Sequence, residues 1–311
     1  MKITALSDIH YPHNEKQLDD SLESMVDSDV IVIAGDISHD LEEYELVLSR
    51  FSGLACKKLI VIGNHDLYTE DGSDSYRKIK VLNRICKRND FHLLDSGPLV
   101  IDGVGFVGNI GWYDYSFAQG RDHENQLPQI EFVGNCDYSG HKLFQIQDIN
   151  EEVLVYPNDE EKSSRSVRIR DLTDSDFSQK SFIFRDKKNH YINDSDFIHW
   201  KFSDKEFLDL QLGKLSKHLR KVEKKCDKII YVSHFVPIWN FIYSDGCDSV
   251  KRVFNAYHGS PELGNLAFSN DKLAAIISGH THHPNQVRVN DVMCYDVSYR
   301  LRQLKPTQIV I

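Results

Sequence analysis

Apolar residues in this chain come in short blocks, and five of the blocks stop abruptly at residues that carry chemistry. Lys2–Leu6 runs into Ser7-Asp8-Ile9-His10, and Val30-Ile31-Val32-Ile33-Ala34 into Gly35-Asp36. Leu59-Ile60-Val61-Ile62 ends at Gly63-Asn64-His65-Asp66, Ile229-Ile230-Tyr231-Val232-Ser233 at His234, and Ala274-Ala275-Ile276-Ile277-Ser278 at Gly279-His280-Thr281-His282-His283-Pro284. Short apolar runs closed by Gly, Asn and Asp read as buried strands. Amphipathic stretches between them predict helices over 15–26, 41–51, 75–87, 203–225 and 262–273. Strand alternating with helix implies parallel strands with crossover helices, an α/β fold.

Shorter strands are expected over 92–94, 98–101 and 104–107, set off by Gly and Asp turns. The tail, 286–289, 292–296 and 308–311, reads as antiparallel strands closing a sheet. Between about Tyr115 and His199 the pattern fails, and only Ser181-Phe182-Ile183-Phe184 resembles a strand. A structureless loop of that length does not fit inside a compact domain, so this stretch reads as an insertion or lid. Its basic residues, Arg165, Arg168, Arg170, Arg185, Lys187 and Lys188, are interleaved with acids and read as solvated surface. Just before it, Gly111-Trp112-Tyr113-Asp114-Tyr115-Ser116-Phe117 packs four aromatics into six residues, which suits either a core under a loop or, with Trp239, a substrate-facing rim.

At 311 residues the chain can bury a large core as one α/β domain carrying an insertion. The net charge of -10 gives no generic attraction to nucleic acid or to an anionic membrane. The six cysteines, Cys56, Cys86, Cys136, Cys226, Cys247 and Cys294, form no C-x-x-C pair, the usage expected of reduced thiols in a cytosol. Asp8 interrupts any signal-peptide core, and no apolar run is long enough for a bilayer. A cytoplasmic protein without a membrane partner is therefore expected.

In open α/β sheets, sites form at the carboxyl ends of strands, so chemistry placed there five times should converge. A lone histidine such as His234 would be unremarkable; the conjunction is not. The donors are Asp8, Asp36, Asn64, His10, His234, His280 and His282, without a thiolate. Imidazole mixed with carboxylate oxygen suits a borderline divalent ion such as Mn, Fe, Co or Zn. Seven donors exceed the need of one ion, so two are implied, and a carboxylate can bridge ions about 3.5–4 Å apart.

D-x-H, G-D, G-N-H-D, a single His after a strand and G-H-x-H, in this order, resemble the calcineurin-like metallophosphoesterase family. The resemblance implies a two-sheet α/β sandwich with flanking helices, interrupted here by the insertion. It implies that Asp8, His10 and His282 hold one metal, that Asn64, His234 and His280 hold the other, and that Asp36 bridges them, with Mn the first choice and Fe, Zn or Co the alternatives. His65 would contact the substrate phosphate and protonate the leaving oxygen, Asp66 would orient its ring, and a hydroxide between the ions would attack phosphorus in line. The expected activity is hydrolysis of phosphate mono- or diesters of small to medium substrates.

Two departures narrow this. No arginine follows Asp36, unlike protein Ser/Thr phosphatases, and Tyr44 lies too far along a helix to be the tyrosine ligand of purple acid phosphatases. A nuclease shares G-N-H-D but would need a basic groove, which the acidic charge disfavours. A non-catalytic scaffold on the same fold would not need so complete a donor set. His13, His39 and His283 adjoin the motifs but read as exposed loop residues, and His123, His141, His190, His199 and His258 have no spacing argument.

Overall fold

The computed structural model describes residues 1–119, 194–242, 255–299 and 303–311, together with four short strands between 131 and 168. Its strands are β1 (Lys2–Leu6), β2 (Val30–Ala34), β3 (Lys57–Val61), β4 (Phe91–Leu93), β5 (Leu99–Ile101), β6 (Val104–Asn109), β7 (Glu131–Val133), β8 (Leu143–Gln145), β9 (Glu152–Val155), β10 (Arg165–Arg168), β11 (Lys228–Ser233), β12 (Leu273–Ser278), β13 (Asn285–Val289), β14 (Val292–Asp296) and β15 (Thr307–Val310). Two sheets form the body: β15-β1-β2-β3-β4 and β13-β14-β12-β11-β6-β5. Within the first, β1 to β4 are parallel; in the second, β6, β11, β12 and β14 are parallel. β7 pairs with β8 and β9 with β10, each pair antiparallel and separate from the two large sheets.

Side chains alternate across each strand, and this assigns them to two cores. Val30, Val32 and Ala34 of β2 meet Phe106, Ile230, Val232 and Ile277 in a core made from both sheets. Ile31 and Ile33, pointing the other way, join helix residues such as Leu18, Val47 and Leu48. Each such buried Val, Ile or Leu is worth about 1.5–3 kcal/mol. A one-residue slip would exchange the two faces, which fixes the register and hence where each strand ends.

Helix starts follow their caps. Asp40 accepts from the amides of Glu42 and Glu43 ahead of Leu41–Ser49, and Asp74 does the same for Tyr76 and Arg77 ahead of Ser75–Arg88. Ser203 and Glu206 form a reciprocal capping box at Asp204–Val222. The predicted helix over 262–273 is shorter, Pro261–Phe268, because the chain must turn before entering β12.

Two expectations need correction. The tail does not close one sheet: β13 and β14 complete the second sheet, with β14 parallel to β12, while β15 crosses to the first and pairs antiparallel with β1. Alternation marks a strand's buried face but not its partner. The start of the irregular stretch is also core, since Tyr115 and Phe117 are buried beside Trp112 and Tyr113. Trp112 donates its indole N–H to Asp204 and packs on Trp200, Phe207 and Phe235, so this loop fills the interior. Trp239 is partly exposed, against Phe117. The stretch Ser181-Phe182-Ile183-Phe184 lies outside the described residues. Among the described residues no helix is long and apolar enough to cross a membrane.

Candidate metal centre

The turns after β1, β2, β3, β11 and β12 meet at one end of both sheets. The first two run side by side, Asp8 N–H donating to the Gly35 carbonyl at 3.1 Å and His10 N–H to that of Asp36 at 3.1 Å. The Gly279 amide donates to the His234 carbonyl at 3.0 Å, and His280 N–H reaches Asp8 Oδ2 at 3.1 Å, joining the two sheets' turns. The glycines of the motifs make this approach possible. A Cβ on Gly63 would lie 2.1 Å from Asp36 Oδ1, and one on Gly279 2.1 Å from Ser7 Oγ.

Backbone strain marks the same place. Of the nine non-glycine residues with positive φ among the described residues, five are Asp8, Asp36, His10, His280 and His282. Asp and His tolerate the left-handed region better than most residues, but each still costs on the order of 1–2 kcal/mol there. The turns after β1, β2 and β12 thus hold this conformation together to aim side chains at a common point.

All seven predicted donors are brought together. On one side His282 Nε2 lies 3.4 Å from Asp8 Oδ1 and 3.4 Å from His10 Nε2. On the other, His234 Nε2 lies 2.9 Å from Asn64 Oδ1 and 3.2 Å from His280 Nδ1. Asp36 Oδ2 belongs to both, 3.7 Å from His10 Nε2 and 3.4 Å from His234 Nε2, while Asp36 Oδ1 accepts the His65 amide at 3.0 Å. The triads Asp8–His10–His282 and Asp36–His234–His280 each bring three ligand atoms within 4.8 Å of one another.

The outer hydrogen bonds turn lone pairs inward. His234 Nδ1 donates to the Ala34 carbonyl at 2.7 Å and His280 Nε2 to that of Tyr257 at 3.2 Å; a carbonyl only accepts, so the outer nitrogens keep their protons and the inward nitrogens are the ones a metal would take. Asn64 Nδ2 donates to Asp194 Oδ1 at 2.7 Å, leaving Oδ1 inward. Asp8 Oδ1 and Asp36 Oδ2 are buried without a hydrogen-bond partner. Leaving a buried carboxylate oxygen unsatisfied costs about 1–3 kcal/mol or more, so this donor set fits a cation. The carboxylates call for positive charge: burial opposes charge on His234, yet Asp36 and Asp8 raise it to about 10, so a proton sits there where a cation would displace it, while Asp8 and Asp36 are held well below the usual carboxylate range by the surrounding imidazoles despite burial.

His65 stands edge-on to His10, ring centres 4.6 Å apart, and groups with His10 and Asp36. Burial and the neighbouring histidines lower it to about 4, against the pull of Asp36, so the free centre holds it neutral. The expectation for Asp66 is overturned. Its carboxylate does not orient the His65 ring; it accepts the amides of Gly63 (2.8 Å), Asp36 (3.1 Å), Ile37 (2.7 Å) and Ser38 (3.2 Å). The chain direction after His65 points Asp66 back into the β2 turn, where it clamps the loop bearing Asp36. Asp296, another buried carboxylate, accepts from Thr281 Oγ1 at 2.6 Å and Ser298 N at 3.0 Å, holding the turn between His280 and His282.

Of the remaining histidines, His13 is exposed and His39 pairs with Glu70 at the surface. His258 is buried with its ring 5.7 Å from that of His280, a neighbour that no spacing announced. Tyr44 is buried with its hydroxyl against Cys86 Sγ, away from the donors.

A two-sheet α/β sandwich gathers Asp, Asn and His donors at its strand ends, an arrangement able to hold divalent metal. Residues 1–132 match the model of the calcineurin-like phosphoesterase family. That stretch contains Asp8 through Asp66 but ends before His234. Among solved structures, the fold is similar to a phosphopantetheinyl hydrolase of Mycobacterium tuberculosis (TM-score 0.62, 16% identity, 97% of this chain and 90% of that one). Further similar chains are a Thermus thermophilus protein (TM-score 0.47, 11% identity, 99% and 97% covered) and a dimetal phosphatase from Danio rerio (0.46, 14%, 97% and 88%). No curated protein matches the sequence.

Proposed function

We propose that this chain hydrolyses phosphate mono- or diesters of small to medium substrates at a two-metal centre. Asp8, His10 and His282 would hold one ion, Asn64, His234 and His280 the other, and Asp36 would be shared. The observation that carries this is the pair of buried, unpartnered oxygens, Asp8 Oδ1 and Asp36 Oδ2, each facing imidazole nitrogens from both sheets. Bound divalent ions supply Lewis-acid charge stabilisation for the phosphoryl oxygens and acidify water. The chain's own part is to keep donors in place and to handle the leaving group's proton. His65, beside His10 and Asp36, is the residue we assign to the leaving oxygen. Its imidazole is the proton-bearing ring nearest that oxygen's expected place beside His10 and Asp36.

The segment from about 115 to 199 is proposed as an insertion in this single domain that selects the substrate. Its two ends are anchored at the centre's flank, Tyr115 by a hydrogen bond to Asp204 and Asp194 on Asn64. Purified protein should carry Mn, Fe, Zn or Co. With added Mn2+ it should cleave p-nitrophenyl phosphate, its bis-ester, or members of a phosphate-ester panel. Protein that binds no divalent ion and cleaves none of these would end the proposal.

A further inference from the structure

Asn64 is an amide among carboxylates and imidazoles, and an amide can present either end to a neighbour. What decides its orientation comes from 130 residues away. Asp194 is buried, and its Oδ1 accepts both Asn64 Nδ2 and the Tyr68 hydroxyl, each at 2.7 Å, with that hydroxyl 3.3 Å from Asn64 Nδ2. A carboxylate oxygen accepts only, so it draws Nδ2 outward and leaves Asn64 Oδ1 facing His234 Nε2. Asp194 is itself seated by backbone. Thr69 N–H donates to Phe197 O and Ser75 N–H to His199 O, both at 2.8 Å, and the Phe197 ring stacks on Tyr68 at 5.3 Å.

We propose that Asp194 is a positioning residue that fixes the Asn64 amide with its oxygen toward the metal site shared with His234 and His280. The affinity of that site then depends on residues 194–199 lying against 68–75. This rests on the two-metal reading above. It also explains why position 64 holds an amide: an aspartate there would set a carboxylate against that of Asp194.

The test is Mn2+ titration of the full chain after chelator treatment, followed calorimetrically. Wild type should show two sites. In Asp194→Leu, which keeps the branched outline of the side chain and removes the acceptor, one site should weaken about 10–100-fold while the other is unchanged. Asp194→Asn retains an acceptor oxygen and should restore both sites to within about threefold of wild type. Should the leucine variant fail to unfold cooperatively, Asp194→Ser, polar but too short to reach Asn64, carries the same expectation of one weakened site. An unchanged isotherm in the leucine or serine variant overturns the assignment, as does an asparagine variant as weak as the leucine one. Wild type with fewer than two sites instead overturns the two-metal reading.

Discussion

Asp8 and Asp36 are buried at the same end of the molecule as Asp66 and Asp296, yet the two pairs are in opposite condition. Asp66 takes four backbone amides and Asp296 takes a threonine hydroxyl and a serine amide, so their oxygens are spoken for by the protein. Asp8 and Asp36 each keep one oxygen without a hydrogen-bond partner, facing imidazole nitrogens alone. Buried carboxylates that are satisfied internally hold loops together; those left unsatisfied mark where something positive belongs. Burial alone does not separate the two kinds. The hydrogen-bond account does.

The strongest way to break this distinction is Asp36→Asn, which preserves shape and the acceptor for the His65 amide. Activity should fall by at least about a thousandfold with loss of bound metal, while the chelator-treated protein unfolds at the same or higher denaturant. A variant that loses stability without metal would place Asp36 with the scaffold. His65→Ala should keep both metals and lower turnover about 10²–10⁴-fold, read from metal content beside kcat; wild-type turnover would remove His65 from the chemistry. Asp66→Leu strands four buried amides and should cost about 3–5 kcal/mol in urea unfolding whether or not metal is present.

The smallest effect concerns Asp296, which burial raises to about 7, the bonds from Ser298 and Thr281 opposing. A carboxyl whose pKa is raised on folding contributes stability below its unfolded value of about 4, and that contribution is lost as pH rises through 7. The urea midpoint of chelator-treated wild type should therefore fall between pH 5 and pH 8 more than that of Asp296→Asn. Equal slopes would show that the site does not titrate there.

The comparison also explains what the sequence displays. Asp8, Asp36, Asn64 and the late histidines are legible because each follows an apolar run directly, and strands in register deliver their ends to one edge. Asp66 was legible as a member of the site but not in its task, since adjacency to His65 says nothing about which way the next side chain points. Asp194 was not legible at all. It sits in Asn193-Asp194-Ser195-Asp196, where two acids look alike, and its partner is remote in the chain. The aromatic loop from Gly111 could be read as rim or interior, and only the contacts of Trp112 with Trp200 and Phe207 decide for the interior. The crossing of β15 to the first sheet was hidden for the same reason, because alternation carries no address for the neighbouring strand.

Five of the seven donors sit on a backbone bent in the unfavourable hand. Hydrogen bonds between the turns hold that deformation, Asp8 N–H to Gly35, His10 N–H to Asp36 and His280 N–H to Asp8, so the donors do not have to be gathered by an ion. Uptake of metal should then resemble the filling of a rigid socket. It should leave the circular dichroism of the protein unchanged, proceed without a slow folding phase, and raise resistance to denaturant only through binding.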